Sequence, residues 1–129
     1  MLNYRRQGEG PTLVLQHGFL GGSNYFVPQI RHFSRSYDVI AADLPGFAGS
    51  GSLPYPGTVT GLSAALIDLL DSLGVGHFAL LGHSLGGVVA LQSALDHGDR
   101  IEKLILYSTS SRGAMPHRHE PFENTIAKL

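Results

Sequence analysis

The apolar residues of this chain fall into short blocks separated by glycine, proline and polar residues. Thr12-Leu13-Val14-Leu15-Gln16, Tyr37-Asp38-Val39-Ile40-Ala41-Ala42, His77-Phe78-Ala79-Leu80-Leu81 and Lys103-Leu104-Ile105-Leu106-Tyr107 are each bounded by Gly, Pro, Ser or Asp. Short continuous runs of this kind predict strands buried on both faces. Between the second and third runs, Val59, Leu62, Leu66, Leu69, Leu70 and Leu73 recur at steps of three and four. Between the third and fourth, so do Leu85, Val88, Val89 and Gln92, with Leu95 beyond. The spacing predicts two helices, each with one apolar face. Phe26, Ile30 and Phe33 predict a third, shorter one. Strands alternating with helices demand right-handed crossovers, so the expected fold class is α/β: a parallel sheet with helices on both faces and Leu2 to Arg6 as a candidate edge strand. Ser50 to Gly57 reads as a loop. After Tyr107 the pattern turns polar: Ser108 to Gly113 is turn-like, Met115 to Pro121 carries histidines, and Phe122 to Leu129 has the make-up of another helix start.

Composition narrows the function. The 129 residues are 43% hydrophobic and 15% charged, as in one globular domain. Nine Lys plus Arg against ten Asp plus Glu give a net charge of −1, with no basic block to neutralise a phosphate backbone or an anionic lipid surface. The expectation is no nucleic acid and no membrane as partner. With no cysteine, disulfides, thiolate zinc sites and thiol catalysis are excluded. The N-terminal ten residues lack the apolar run of a signal peptide, and no stretch reaches membrane-spanning length, so the expected location is cytoplasmic. Oligomeric state is left open.

The chemistry concentrates around one serine. Gly82-His83-Ser84-Leu85-Gly86 follows a predicted strand and opens a predicted helix, the context in which G-x-S-x-G forms a nucleophile elbow. The serine of such a turn has a strained backbone, and Gly82, Gly86 and Gly87 supply the small neighbours it needs. At the start of the helix, free backbone N–H groups face any negative charge developing on a substrate oxygen. A carbonyl substrate is therefore expected. Leu85 N–H is the first expected oxyanion donor, and Phe19 N–H, in the loop His17-Gly18-Phe19-Leu20-Gly21-Gly22 after an earlier strand, is the second. Gly18 gives that loop freedom, and the Phe19 ring is expected to face the substrate.

Other polar residues receive plainer readings. Asp43, opening Asp43-Leu44-Pro45-Gly46-Phe47-Ala48-Gly49-Ser50, precedes the serine, whereas the acid of this arrangement follows it, so a turn-fixing hydrogen bond is expected. His83 neighbours Ser84 but points away from it, packing beside the oxyanion loop, and His17 is a hydrogen-bonded structural residue. His32, His77 and His97 fall at element ends as solvated or capping residues. His117 and His119 alternate in the terminal segment, too few for a metal site, so the expectation is no metal and no cofactor. The Gly86-Gly87-Val88 run lacks the lysine of a P-loop, and no G-x-G-x-x-G follows the first strand.

The three motifs HGFLGG, DLPGFAGS and GHSLGG, in this order, resemble the α/β-hydrolase superfamily, over nearly all of Leu2 to Ser110. The resemblance implies a serine hydrolase of the lid-bearing type. Residues 1–112 correspond to the N-terminal half of the catalytic core, truncated after about five strands, and residues 113–129 to the start of a cap. It further implies a triad acid and a histidine downstream of Leu129. Some relatives place the acid just after the strand through Tyr107, where Ser108, Thr109, Ser110 and Ser111 stand here. The implied reaction is attack by Ser84 on a small-molecule ester, lactone, thioester or C–C bonded ketone. The alternative reading is a catalytically inert fragment or a ligand-binding member of the same fold.

Overall fold

The computed structural model describes residues 1–109. Five strands form one sheet: β1 (Tyr4–Gln7), β2 (Thr12–Gln16), β3 (Asp38–Ala42), β4 (Phe78–His83) and β5 (Ile101–Tyr107), in spatial order β1-β3-β2-β4-β5. Strands β2 to β5 are parallel, and β1 lies antiparallel along β3. The four residues between β1 and β2 are too few for a crossover, which dictates β1's reversed direction. A bidentate pair from Arg6 to Asp38, at 2.9 and 2.8 Å, clips this short edge strand to β3.

Three helices connect the parallel strands: α1 (Val27–Phe33), entered through a 3₁₀ turn at Ser23–Phe26, α2 (Val59–Ser72) and α3 (Leu85–His97). One face of the sheet packs Leu13, Leu15, Val39 and Ala41 against Phe26 and Ile30 of the α1 region. The other packs Val14, Ile40, Ala42 and Leu80 against α2 and α3 through Leu62, Leu66, Leu70, Val89 and Ala90. Each fully buried valine, leucine, isoleucine or phenylalanine among these contributes about 1.5–3 kcal/mol. On the α1 side the cluster reaches Ala79 and Leu81 of β4 but includes no residue of β5, where Ile105 and Tyr107 are 45% and 54% exposed.

The predicted elements form where the periodicity puts them, with shifted boundaries. Tyr37 is not yet strand, because its N–H closes the end of α1 on the Phe33 carbonyl at 2.9 Å. Strand β4 continues to His83, since Gly82 and His83 still pair with Leu106 and Tyr107. The apolar face of α3 differs from the one the leucines suggest. Its buried residues are Gly86, Gly87, Val89, Ala90 and Ser93, while Leu95 is 81% exposed. Small residues face inward because α3 starts tight against the sheet end and packs closely on α2, where the Ser63 and Ser93 hydroxyls bond at 2.7 Å. The proposed cap at 113–129, with His117 and His119, lies outside the described residues. No helix among the described residues is long and apolar enough to cross a membrane.

Candidate active site

Ser84 sits between the end of β4 and the first residue of α3, with φ 56° and ψ −118°. A non-glycine residue held at positive φ persists only where its surroundings impose it, and such residues cluster at functional sites. Here the crowding is explicit: a Cβ on Gly82 would run into the Gly86 carbonyl, and one on Gly86 into the carbonyls of Gln16 and His17. Serine before a helix ordinarily caps it with its hydroxyl. Ser84 makes no such side-chain bond; its carbonyl accepts from Gly87 N–H at 2.9 Å instead. Among the described residues the hydroxyl has no hydrogen-bond partner, and it stands beside the N-terminus of α3, where the first N–H groups have no intrahelical acceptor.

The loop after β2 is brought to this turn. A Cβ on Gly18 would lie 2.9 Å from Ser84 Cβ and 3.0 Å from the His83 carbonyl, so only glycine lets the backbone pass this close. Phe19 follows, partly buried, its ring meeting Phe47 edge-on at 5.8 Å between centroids. Phe19, Gly18, Gly82, Ser84, Leu85 and Gly86 thus belong to one locality.

His17 is fully buried behind the loop. Its Nε2 accepts from Leu44 N–H at 3.0 Å, which requires Nδ1 to carry the proton and donate to the Gly18 carbonyl at 2.7 Å. Burial is the main cause that lowers its pKa, against smaller opposing effects of that carbonyl and Asp43. The neutral ring is therefore committed at both nitrogens. Asp43 has the turn-fixing role expected of it, on a larger scale. Its carboxylate accepts from Ser23 N–H at 2.5 Å, the Asn3 amide at 2.6 Å and Gly49 N–H at 3.0 Å. Burial disfavours its charge, but the hydrogen bonds from Ser23, Asn3 and Gly49 outweigh that penalty and hold the pKa below the usual carboxylate value. Leu44-Pro45-Gly46-Phe47 beside it is a tight turn, with Gly46 at φ 88° and Phe47 N–H on the Leu44 carbonyl at 3.0 Å.

His83 points to the opposite face from Gly82, as alternation along β4 requires. Its ring stacks on Tyr25 at 4.9 Å with 13° between planes, and meets Tyr107 at 5.0 Å. Sequence reasoning missed both tyrosines, which carry no local signal of belonging to the site. It missed Thr109, whose hydroxyl donates to the Ser84 carbonyl at 2.6 Å. It also missed the Gln16 side chain, fully buried with neither amide atom hydrogen-bonded among the described residues. His32 contacts Phe33 in α1, His77 lies at the far end of β4 from Ser84, and His97 ends α3.

A family model described as alpha/beta hydrolase fold matches residues 11–127. RutD of Agrobacterium fabrum (strain C58), provisionally designated a carbamate hydrolase, is 30% identical over 126 residues, 97% of this chain and 48% of the relative. The enol-lactonase from Burkholderia xenovorans LB400 superposes with a TM-score of 0.81 at 29% identity, over 85% of this chain and 44% of that one. A thermophilic esterase from Thermogutta terrifontis gives a TM-score of 0.83 at 33% identity, over 89% and 43%. The chain spans about half the length of the curated relatives it matches.

Proposed function

The chain belongs to the α/β-hydrolase fold family, and on that premise we propose that it forms the nucleophile-bearing part of a serine hydrolase acting on a small-molecule carbonyl compound. One observation carries the reading: Ser84 is held at positive φ before α3 with its hydroxyl unused for capping. A helix-capping serine in its ordinary role would do neither.

In this reaction Ser84 Oγ attacks the carbonyl carbon, and the C=O π electrons move onto the oxygen. Leu85 N–H and Phe19 N–H receive that oxyanion, charge stabilisation realised only as the tetrahedral species forms. A histidine base takes the Oγ proton as the new C–O bond forms and delivers it to the leaving group as collapse breaks the bond to it; water, deprotonated by the same base, then releases the acyl group from Ser84. Esters, lactones, thioesters and carbamates share the required carbonyl and leaving group, and the relatives' names fall within that set.

The base belongs to a histidine outside residues 1–109. His17 is bonded at both nitrogens, and the His83 ring is stacked on Tyr25 and packed against Tyr107. Without base and acid, a serine of this kind retains only the contribution of the oxyanion donors and binding, roughly 10³–10⁴ over water.

A fluorophosphonate probe tests the assignment in the full-length protein. Covalent labelling is expected at Ser84 and abolished in Ser84→Ala, with the melting transition preserved. Labelling that persists in folded Ser84→Ala, or no adduct in the wild type, would overturn it.

A further inference from the structure

Two residues with positive φ end the adjacent strands β4 and β5: Ser84 at 56° and Ser108 at 48°. Neither is glycine, so each is kept there by what surrounds it. The surroundings are largely each other. His83 and Tyr107 are the last register pair of β4 and β5, and Ser84 N–H donates to the Tyr107 carbonyl at 3.0 Å. The turn at Ser108 then brings Thr109 back over the start of α3, where its hydroxyl reaches the Ser84 carbonyl at 2.6 Å. The side chain lies against the bare Cα of Gly87. A Cβ there would come within 2.5 Å of Thr109 Cβ, Cγ2 and Oγ1.

The carbonyl that Thr109 holds belongs to the same peptide unit as Leu85 N–H. A trans peptide is planar, with its C=O and N–H pointing in opposite directions, so fixing one end fixes the other. The Gly87 and Val88 N–H groups bond the Ser84 carbonyl at 2.9 and 3.4 Å from within the helix, whereas Thr109 grips it from 25 residues away.

We propose that Thr109 is a positioning residue: by anchoring the Ser84 carbonyl it aims Leu85 N–H at the developing oxyanion, and Gly87 is glycine to admit it. The inference rests on the proposed roles of Ser84 and Leu85. It also gives Ser108 and Thr109, the two described residues after β5, a part in keeping the elbow aligned.

Thr109→Val keeps the shape and removes the donor, while Thr109→Ser keeps the donor and removes a methyl. In the full-length protein, the second-order rate of fluorophosphonate labelling is expected to fall about tenfold in Thr109→Val, less than the loss from deleting an oxyanion donor outright. Thr109→Ser should label at nearly the wild-type rate. Should the valine variant not fold, Thr109→Ser against Thr109→Ala gives the same contrast. Amide hydrogen exchange across residues 84–88 provides a readout independent of chemistry: faster in the variants without the hydroxyl, unchanged in Thr109→Ser. Labelling at the wild-type rate in folded Thr109→Val, or exchange there that matches the wild type, overturns the proposal. An unlabelled wild type whose exchange still follows the hydroxyl would instead refute the nucleophile reading and leave the Thr109 anchor standing.

Discussion

Replacing Asp43 with asparagine changes almost no volume, so its cost isolates the hydrogen bonding of one buried carboxylate. One oxygen of Asp43 accepts from Ser23 N–H and the other from the Asn3 amide and Gly49 N–H. Asparagine has one acceptor oxygen. Its NH₂ must face either the Ser23 N–H or the Asn3 and Gly49 donors, so in the better orientation two bonds survive as neutral ones and Ser23 N–H is left against another donor. Ser23 is itself 2% exposed, and no solvent compensates it. A hydrogen bond to a charged group contributes about 1.5–3 kcal/mol and a buried unsatisfied donor costs about 1–3 kcal/mol; the two overlap, giving an expected loss of about 3 kcal/mol. The measurement is the denaturant midpoint at pH 7 for wild type and Asp43→Asn, analysed with a common slope. Because the folded carboxyl is held below its ordinary value, the stabilisation is complete above the unfolded pKa of about 4 and disappears as pH falls through the lower, folded pKa. The gap between the two proteins should therefore be constant near neutrality and close in acid. A loss below about 1 kcal/mol at pH 7 would refute the hydrogen-bond accounting. The same variant checks the role. If Asp43 is structural, folded Asp43→Asn keeps its Ser84 labelling rate to within a few-fold, whereas a triad acid so changed would cost about 10⁴.

Two further outcomes follow from the site's other buried polar groups. Gln16→Met, nearly isosteric, should raise stability by about 1–2 kcal/mol, since it removes a buried amide without a hydrogen-bond partner among the described residues, and a destabilised variant by the same denaturation assay would contradict this. His17 is held neutral with a lowered pKa, so the unfolded chain takes up a proton at that residue before the folded one does; stability should drop as pH falls below about 6.5, by up to about 1.4 kcal/mol per pH unit. Melting curves from pH 8 to 5 should show that slope reduced in His17→Gln, and an equal slope in both proteins would be the contrary result.

What the chain makes legible is what it encodes locally. Strands β2, β3 and β4 announce themselves as unbroken apolar runs because both sheet faces are covered where they lie. The Ser84 elbow announces itself because its requirements, a strand before, a helix after and small residues on either side, all fall within six positions. Helix α3 was harder for the same physical reason that makes the elbow work. It must approach the sheet closely, so glycine, alanine and serine line its inner face and the leucines that suggest an apolar stripe point elsewhere, Leu95 into solvent. The supports of the site are non-local and left no pattern. Asp43 gathers Asn3, Ser23 and Gly49 from three separate segments, and the ring stack on His83 draws Tyr25 and Tyr107 from opposite ends of the described chain.

That division bears on where the missing chemistry must come from. The described histidines fall into two groups: those near Ser84, which are committed, and those that are available, which stand elsewhere. His17 spends both ring nitrogens on backbone groups, and moving it to serve Ser84 would strip Leu44 N–H of its acceptor and release the loop carrying Phe19. The His83 ring is engaged by Tyr25 and Tyr107, with centroids at 4.9 and 5.0 Å. His32, His77 and His97 sit on α1, at the start of β4 and at the end of α3, and parallel strand order places the last two at the other end of the sheet from the elbow. On the proposed reading, Ser84 with its oxyanion donors but without a free histidine near it among the described residues is half of a catalytic device. The proposed reaction consequently takes its histidine from outside residues 1–109, brought to the end of β4 where Ser84 stands.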